Sequence, residues 1–343
     1  MENKEDRIPE TRVTYARLER LLQEALETRT KFKRCSSKRV GDLQGQLSRI
    51  VKVSIEWSVE SAELPASVVL KTPSQQAEKG VEEAITGGPE LATTLARLHA
   101  MTMKDRTWLE DNVNLKKSFI DVLRDSFTYK MTPEVMEQEI QLVVAQLRKQ
   151  PEYYTDAIIE KFEDSALNSV EAMIKAFDYW TKTHREQGIP DVLCHGDLHP
   201  GNIFVKKDQN GDERRLAGIF DWQICHSGSP VEDLLKFISG SVDGPTRRQH
   251  TLTVLQHYYE TLTEEMRDEP VPFTMEQLIQ NYKQMFKMGV NLQGTTAAMI
   301  VESDKLFEKA EDKEKAKEDL LKNSRAMYEE LIQLEDEGEM PWK

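Results

Sequence analysis

Apolar residues recur at helical spacing from Thr14 to Thr28. Leu18, Leu21, Leu22, Ala25 and Leu26 share one face, and Thr14 supplies an N-cap. The period then shortens. Residues 36–42 lead into Gly41-Asp42-Leu43-Gln44-Gly45, and residues 47–55 place Leu47, Ile50, Val51, Val53 and Ile55 in an extended run. A third run, Ser67-Val68-Val69-Leu70-Lys71, lies between Pro65 and Pro73. Residues 36–72 thus read as three antiparallel strands with a glycine-containing first turn. The polar stretch 74–89 ends in Gly87-Gly88-Pro89, the strongest boundary signal in the chain. That triplet predicts two parts, residues 1–88 and 89–343.

Beyond the triplet the pattern is mainly helical. Leu91, Leu95 and Leu98 are in phase over 90–102, a second helix is expected over 114–127, and Thr132-Pro133-Glu134 opens a third that runs to about 149. A fourth is expected over 163–184. Residues 192–221 differ: Val192-Leu193-Cys194, Ile203-Phe204-Val205 and Leu216–Phe220 read as short strands. The last two are joined by a polar turn holding Asn210-Gly211. Helices resume near 230. The segment from 302 carries 8 Lys+Arg and 14 Asp+Glu, yet Leu320, Ser324, Met327, Leu331 and Leu334 form a stripe. It reads as an amphipathic helix packed on the body, with its charges solvated.

Composition narrows the class. The 343 residues hold 46 Lys+Arg against 60 Asp+Glu, a net charge of −14, with 38% hydrophobic residues. That apolar content excludes a disordered chain, and 16 Gly with 13 Pro excludes a collagen-like one. The acidic balance argues against nucleic acid as a partner. Cys35, Cys194 and Cys225 are too few and too scattered for a disulfide framework or a structural zinc site. No apolar run reaches membrane-spanning length, and the charged start MENKEDRIPE lacks a signal-peptide core. The expectation is a cytoplasmic protein with no membrane partner. The sequence specifies no oligomeric state.

The chemistry concentrates in His195-Gly196-Asp197-Leu198-His199-Pro200-Gly201-Asn202, a loop between two apolar strands, and in Ile219-Phe220-Asp221-Trp222 at the end of a hairpin. Asn202 and Asp221 offer hard oxygen ligands of the kind Mg²⁺ takes beside nucleotide phosphates. Asp197 is then available to accept the proton of an attacking hydroxyl, the division of labour that phosphoryl transfer uses. A rival reading takes His195, Asp197 and His199 as metal ligands on alternate positions. Pro200-Gly201 ends any strand there, and the remaining histidines are isolated, which disfavours a metallohydrolase.

HGDLHPGN followed by IFDWQ resembles the catalytic core of the aminoglycoside phosphotransferase/choline kinase family. Its most similar variant is the CHK kinase-like branch, with the ecdysteroid-kinase-like and nematode proteins of that type. Ser229-Pro230-Val231-Glu232-Asp233-Leu234 resembles the helix start that follows the metal-binding Asp in that branch. VGDLQGQLSRI resembles its first hairpin, and LPASVVLK its third strand. The resemblance covers roughly residues 12–73 and 90–335. It implies an α+β, protein-kinase-like bilobal fold with a small N-lobe sheet and a large, mainly helical C-lobe. It implies an enzyme that uses ATP and Mg²⁺ to phosphorylate the hydroxyl group of a small molecule. By the same resemblance Asp197 is the catalytic base, Asn202 and Asp221 are metal ligands, and Lys71 contacts the α- and β-phosphates. The backbone around Gly41 and Gly45 covers the phosphates, His195 supports the loop, and Asp233 caps its helix or braces the loop.

The chain departs from the family between Lys71 and Thr93. Kinases of this type place a helix with a glutamate partner for the lysine there, then two strands and a hinge. At ordinary element lengths these need about 40 residues. Residues 72–89 have room for one short helix, which brings Glu78, Glu82 or Glu83 toward Lys71, and for no further strands. The N-lobe therefore reads as truncated. This motivates an alternative, a catalytically impaired pseudokinase or binding protein.

Overall fold

A computed structural model of the chain describes residues 7–9, 13–39, 48–59, 64–73, 81–110, 112, 115, 133–167, 182–207, 214–267, 269–301 and 313–342. The chain forms two compact units, Met1–Glu78 with Lys305–Lys313, and Lys79–Asp304 with Glu314–Lys343. The fold is α+β, with a small antiparallel sheet in the first unit and mostly helix in the second.

In the first unit, helix α1 spans Tyr15–Ala25, and the Thr14 hydroxyl accepts from Arg17 N–H at 3.2 Å as its N-cap. Strands β1 (Phe32–Arg39), β2 (Ser48–Trp57) and β3 (Ser67–Pro73) form one sheet in the order β1-β2-β3, both pairs antiparallel. The period-2 alternation of β2 explains its place. Val51, Val53, Ile55 and Trp57 are buried while Lys52, Ser54 and Glu56 are exposed. The buried side chains join Ile8, Tyr15, Leu18 and Phe32 in one core. The Glu19 carboxylate, on α1, accepts from Phe32 N–H at 2.6 Å and ties helix to sheet. Lys71 lies on β3 opposite Ile50 of β2. Gly41, Gly45 and Glu78 lie outside the described residues.

The second unit opens with α2 (Val81–Lys104), on whose first turn Glu82 and Glu83 lie. The Gly87-Gly88-Pro89 triplet does not end an element as expected: the helix runs through it. The physical reason is packing. Gly88, Leu91, Ala92, Leu95 and Ala96 form a buried face, and a Cβ at Gly88 would meet Val254 at 3.8 Å, while Pro89 is exposed. Burial along a whole face outweighs one local breaker. Among the described residues no strand lies between β3 and the next strand at Val192, and seven residues separate Pro73 from Val81.

Then come α3 (Thr107–Glu110), α4 (Pro133–Leu147) and α5 (Asp156–Leu167). The helix expected over 114–127 falls almost wholly outside the described residues, as does 168–181 of the one expected over 163–184. Strand β4 (Val192–Cys194) pairs antiparallel with β7 (His226–Gly228), and β5 (Ile203–Lys207) with β6 (Arg214–Ile219). Among the described residues four more helices follow: α6 (Glu232–Ser241), α7 (Gly244–Met266), α8 (Met275–Val301) and α9 (Lys313–Glu337). Among the described residues no helix is long and apolar enough to cross a membrane. All three cysteines are free thiols.

Helix α9 buries the expected stripe through Ser324, Met327, Leu331 and Leu334, with Leu321 rather than Leu320 fully covered. Its charges are not all solvated. Glu330 is 1% exposed and receives both forks of the equally buried Arg247, Nε and Nη2 each at 2.9 Å. Arg248 adds a contact at 3.0 Å, and Arg247 Nη1 donates to Asn323 Oδ1 at 2.7 Å. A bidentate pair of this kind is held by geometry, and losing one partner strands the other in low dielectric. Replacing Glu330 by Ala should lower unfolding stability by about 3–5 kcal/mol in a denaturant titration. The double change Arg247→Met with Glu330→Leu should recover most of that loss, and equal stability of wild type and Glu330→Ala would show that the pair anchors nothing.

Candidate active site

The site is built where two strand pairs of the second unit meet. β4 ends at Cys194, and the chain enters His195–His199 before a 3₁₀ turn, Pro200–Asn202, that leads into β5. Gly196 adopts φ +82°, and a Cβ there would lie 2.7 Å from the Ile224 carbonyl oxygen and 3.0 Å from the His226 ring. Only glycine fits both the backbone and the space. His199 caps the 3₁₀ turn, its Nδ1 accepting from Gly201 N–H at 3.1 Å.

The histidine that opens the motif is a fastener. His195 is fully buried. Its Nδ1 accepts from Asp197 N–H at 3.2 Å, and its Nε2 lies 2.8 Å from the Phe220 carbonyl oxygen. A carbonyl only accepts and a backbone N–H only donates, so the proton sits on Nε2 and the ring is neutral. Phe220 is held from its other side as well: its N–H donates to the Asn202 carbonyl at 3.0 Å. Its ring stacks on Phe204 with centroids 4.5 Å apart. The next residue, Asp221, takes the left-handed conformation, φ 72° and ψ 52°. These bonds bring the Asp221 turn against the Asn202 turn although 19 positions separate the two residues.

Asn202 is fully buried, and its Nδ2 donates to the Asp197 carbonyl at 2.8 Å. That bond fixes which end of the amide is oxygen. Asp197 itself is about one-third exposed. Its Oδ1 lies 2.7 Å from Lys236 Nζ, and its Oδ2 lies 3.8 Å from His199 Nε2.

A buried acidic pair lies behind the loop, at the start of α6. The Asp233 carboxylate accepts from His195 N–H at 2.6 Å and Gly196 N–H at 3.0 Å. Glu232 takes the other partner, His226, at 3.1 Å from its Nε2, while His226 Nδ1 lies 2.9 Å from the Ile224 carbonyl. Both ring nitrogens face acceptors, so the ring is an imidazolium. Burial opposes that charge, but Glu232 and the Ile224 carbonyl override it and hold His226 up at about 9. Burial, followed by the neighbouring Glu232 charge, pushes Asp233 up to about 6, against the pull of the two loop N–H groups.

The structure thus brings together Asp197, Asn202, Asp221, His195 and Asp233. Lys71 belongs to the other compact unit. The sequence reading missed Lys236 and the Glu232–His226 pair. The signal for Lys236 was its place three residues after Asp233, one turn along the same helix face. Among the described residues no group of three or more His, Cys, Asp and Glu is placed to hold a metal ion.

The family model DUF1679, described as uncharacterized oxidoreductase dhs-27, matches residues 2–90 and 90–338. The chain belongs to the DUF1679 family. The Caenorhabditis elegans protein called uncharacterized oxidoreductase dhs-27 is 30% identical over 132 residues, which is 36% of this chain and 16% of that protein. An uncharacterized kinase-like protein of Caenorhabditis elegans is 28% identical over 105 residues, 31% of this chain and 26% of the relative. The matches thus span well under half the length of these curated relatives. Among solved structures, a Plasmodium vivax ethanolamine kinase has a TM-score of 0.42 at 13% identity, covering 92% of this chain and 89% of its own. A choline kinase from Cryptosporidium parvum has a TM-score of 0.43 at 10% identity, covering 89% of this chain and 91% of its own. At these scores the likeness carries no argument, and the family match alone carries the classification. The kinase-like resemblance of HGDLHPGN and FDWQ agrees with the kinase-like nematode relative of this chain.

The His226 pair has a pH signature in this DUF1679 chain. The unfolded histidine loses its proton near 6.5, and the folded one near 9. Its stabilisation is therefore complete below about pH 6.5 and is lost as pH rises through 9. Between pH 6 and 9.5 wild type should lose roughly 3 kcal/mol of unfolding stability that His226→Gln does not lose. Parallel stability curves for the two proteins would rule this out.

Proposed function

We propose that this chain is an ATP-dependent phosphotransferase acting on the hydroxyl group of a small molecule. The observation that supports this best is the convergence of Asp197, Asn202 and Asp221 through two hydrogen bonds, Asn202 Nδ2 to the Asp197 carbonyl and Phe220 N–H to the Asn202 carbonyl. The donor set fits a magnesium ion. An amide oxygen and a carboxylate are hard ligands, and the nearby histidines that could favour a softer metal are engaged with backbone groups. Asn202 and Asp221 would hold the ion, which when bound neutralises phosphate charge. Asp197, partly exposed and beside them, takes the proton of the acceptor hydroxyl. The hydroxyl oxygen gains the terminal phosphoryl group of ATP as the bond from that group to ADP breaks.

The loop carries HGD and Asp221 is followed by Trp-Gln, so a small acceptor suits it better than a protein one. The word oxidoreductase stands in the description of the family model, which carries the name of the dhs-27 relative, and the match covers 16% of that relative. The dinucleotide-binding spacing GxGxxG occurs nowhere in these 343 residues.

A second reading, a pseudokinase that binds a ligand without turnover, is favoured by one observation. Only seven residues lie between the end of β3 and the start of α2, too few for two more strands and a hinge. Thermal shift with Mg·ATP, followed by ATP turnover in wild type and Asp197→Ala, separates the two. The phosphotransferase reading expects a stabilising shift and a loss of turnover of about a hundredfold or more in Asp197→Ala. Binding with no turnover in either protein favours the pseudokinase, and equal measurable turnover in both would exclude Asp197 as the base.

A further inference from the structure

Helix α6 holds the HGD loop at both ends of one residue. Asp233 accepts the Gly196 N–H at 3.0 Å, and Lys236, one turn on, places Nζ 3.2 Å from the Gly196 carbonyl oxygen. The same ammonium lies 2.7 Å from Asp197 Oδ1. Positions i and i+3 of a helix share a face, so one rigid element reads the donor, the acceptor and the adjoining carboxylate together. The other carboxylate oxygen, Oδ2, lies toward His199 Nε2 at 3.8 Å. The His199 proton is on that nitrogen, because Nδ1 accepts from Gly201 N–H. The two oxygens of Asp197 therefore have different surroundings.

We propose that Lys236 is a positioning residue for phosphoryl transfer: it clamps Asp197 Oδ1 against the loop and leaves Oδ2 as the oxygen that takes the acceptor's proton. This rests on the phosphotransferase reading of the site. A carboxylate on a single-bonded stem rotates freely in water, and a proton acceptor is effective only when its reacting oxygen is already aimed. The clamp supplies that aim. It also keeps a positive charge beside Asp197 at the step in which the acceptor's O–H bond breaks, the proton passes to Oδ2, and the acceptor oxygen bonds to the phosphorus leaving ADP. No part of this role requires Lys236 to bind the nucleotide, so it separates turnover from affinity.

The test is steady-state Mg·ATP hydrolysis, with water as the acceptor, in wild type, Asp197→Asn, Lys236→Met and Lys236→Arg, each checked for an intact melting transition. Lys236→Met should lower kcat about tenfold to a hundredfold with KM for ATP unchanged within about twofold. Lys236→Arg, which keeps a charged donor, should restore most of kcat. If Asp197→Asn loses turnover while Lys236→Met keeps the wild-type kcat, or raises KM alone, the positioning role is wrong and the phosphotransferase reading survives. If Lys236→Met and Lys236→Arg both lose their melting transition, the lysine is structural and the positioning role is again overturned. If wild type hydrolyses ATP no faster than Asp197→Asn, both readings fall together.

Discussion

Two adjacent backbone N–H groups, those of His195 and Gly196, end on one buried carboxylate, and the geometry of the whole site follows from that. Asp233 is 1% exposed and sits beside a second acid, Glu232, so its charge is costly. What offsets the cost is specific. The two loop N–H groups are charge-assisted donors, and the His226 imidazolium lies against Glu232. The carboxylate therefore remains ionised at neutral pH, with its proton affinity raised only to about 6. Once the loop is anchored there, His195 reaches Phe220, Phe220 reaches Asn202, and Asn202 reaches back to Asp197. Each of these bonds joins backbone to backbone or side chain to backbone, so the ring tolerates little change in loop length.

The same anchoring explains why α6 matters more than its ten residues suggest. Its first turn carries the acid that takes the loop's donors, and its next turn carries the ammonium that meets the loop's acceptor. The buried face of α6, with Leu234, Leu235, Phe237 and Ile238, fixes the helix in the core of the second unit. The Arg247–Glu330 pair secures α9 to the start of α7, immediately after α6. Core packing thus sets the position of the HGD loop, which has little apolar surface of its own.

What the sequence made legible is what short-range chemistry dictates. The alternation in β2, the Thr14 cap, the Val192–Cys194 strand and the loop motif all depend on neighbours within a few positions. Residues 192–207 and 214–221 were readable for that reason, while the turn at 208–213 lies outside the described residues. The errors have one cause, tertiary packing. Gly87-Gly88-Pro89 reads locally as a break, yet a buried face shared with α7 carries α2 through it. Glu330 reads as one more surface acid in a charged helix, yet its partner lies 83 positions away. Lys236 carries no motif, and its meaning comes only from what the fold sets opposite it. The short span after β3 was legible from length alone, because strands need residues whatever their sequence.

The most direct test of the account is amide hydrogen exchange at His195 and Gly196 in wild type and in Asp233→Ala. If one buried carboxylate anchors the loop, both amides exchange slowly in wild type. In the variant they should exchange at least about a hundredfold faster, while the α7 and α8 amides keep their protection. Unchanged protection at His195 and Gly196 in Asp233→Ala would contradict it.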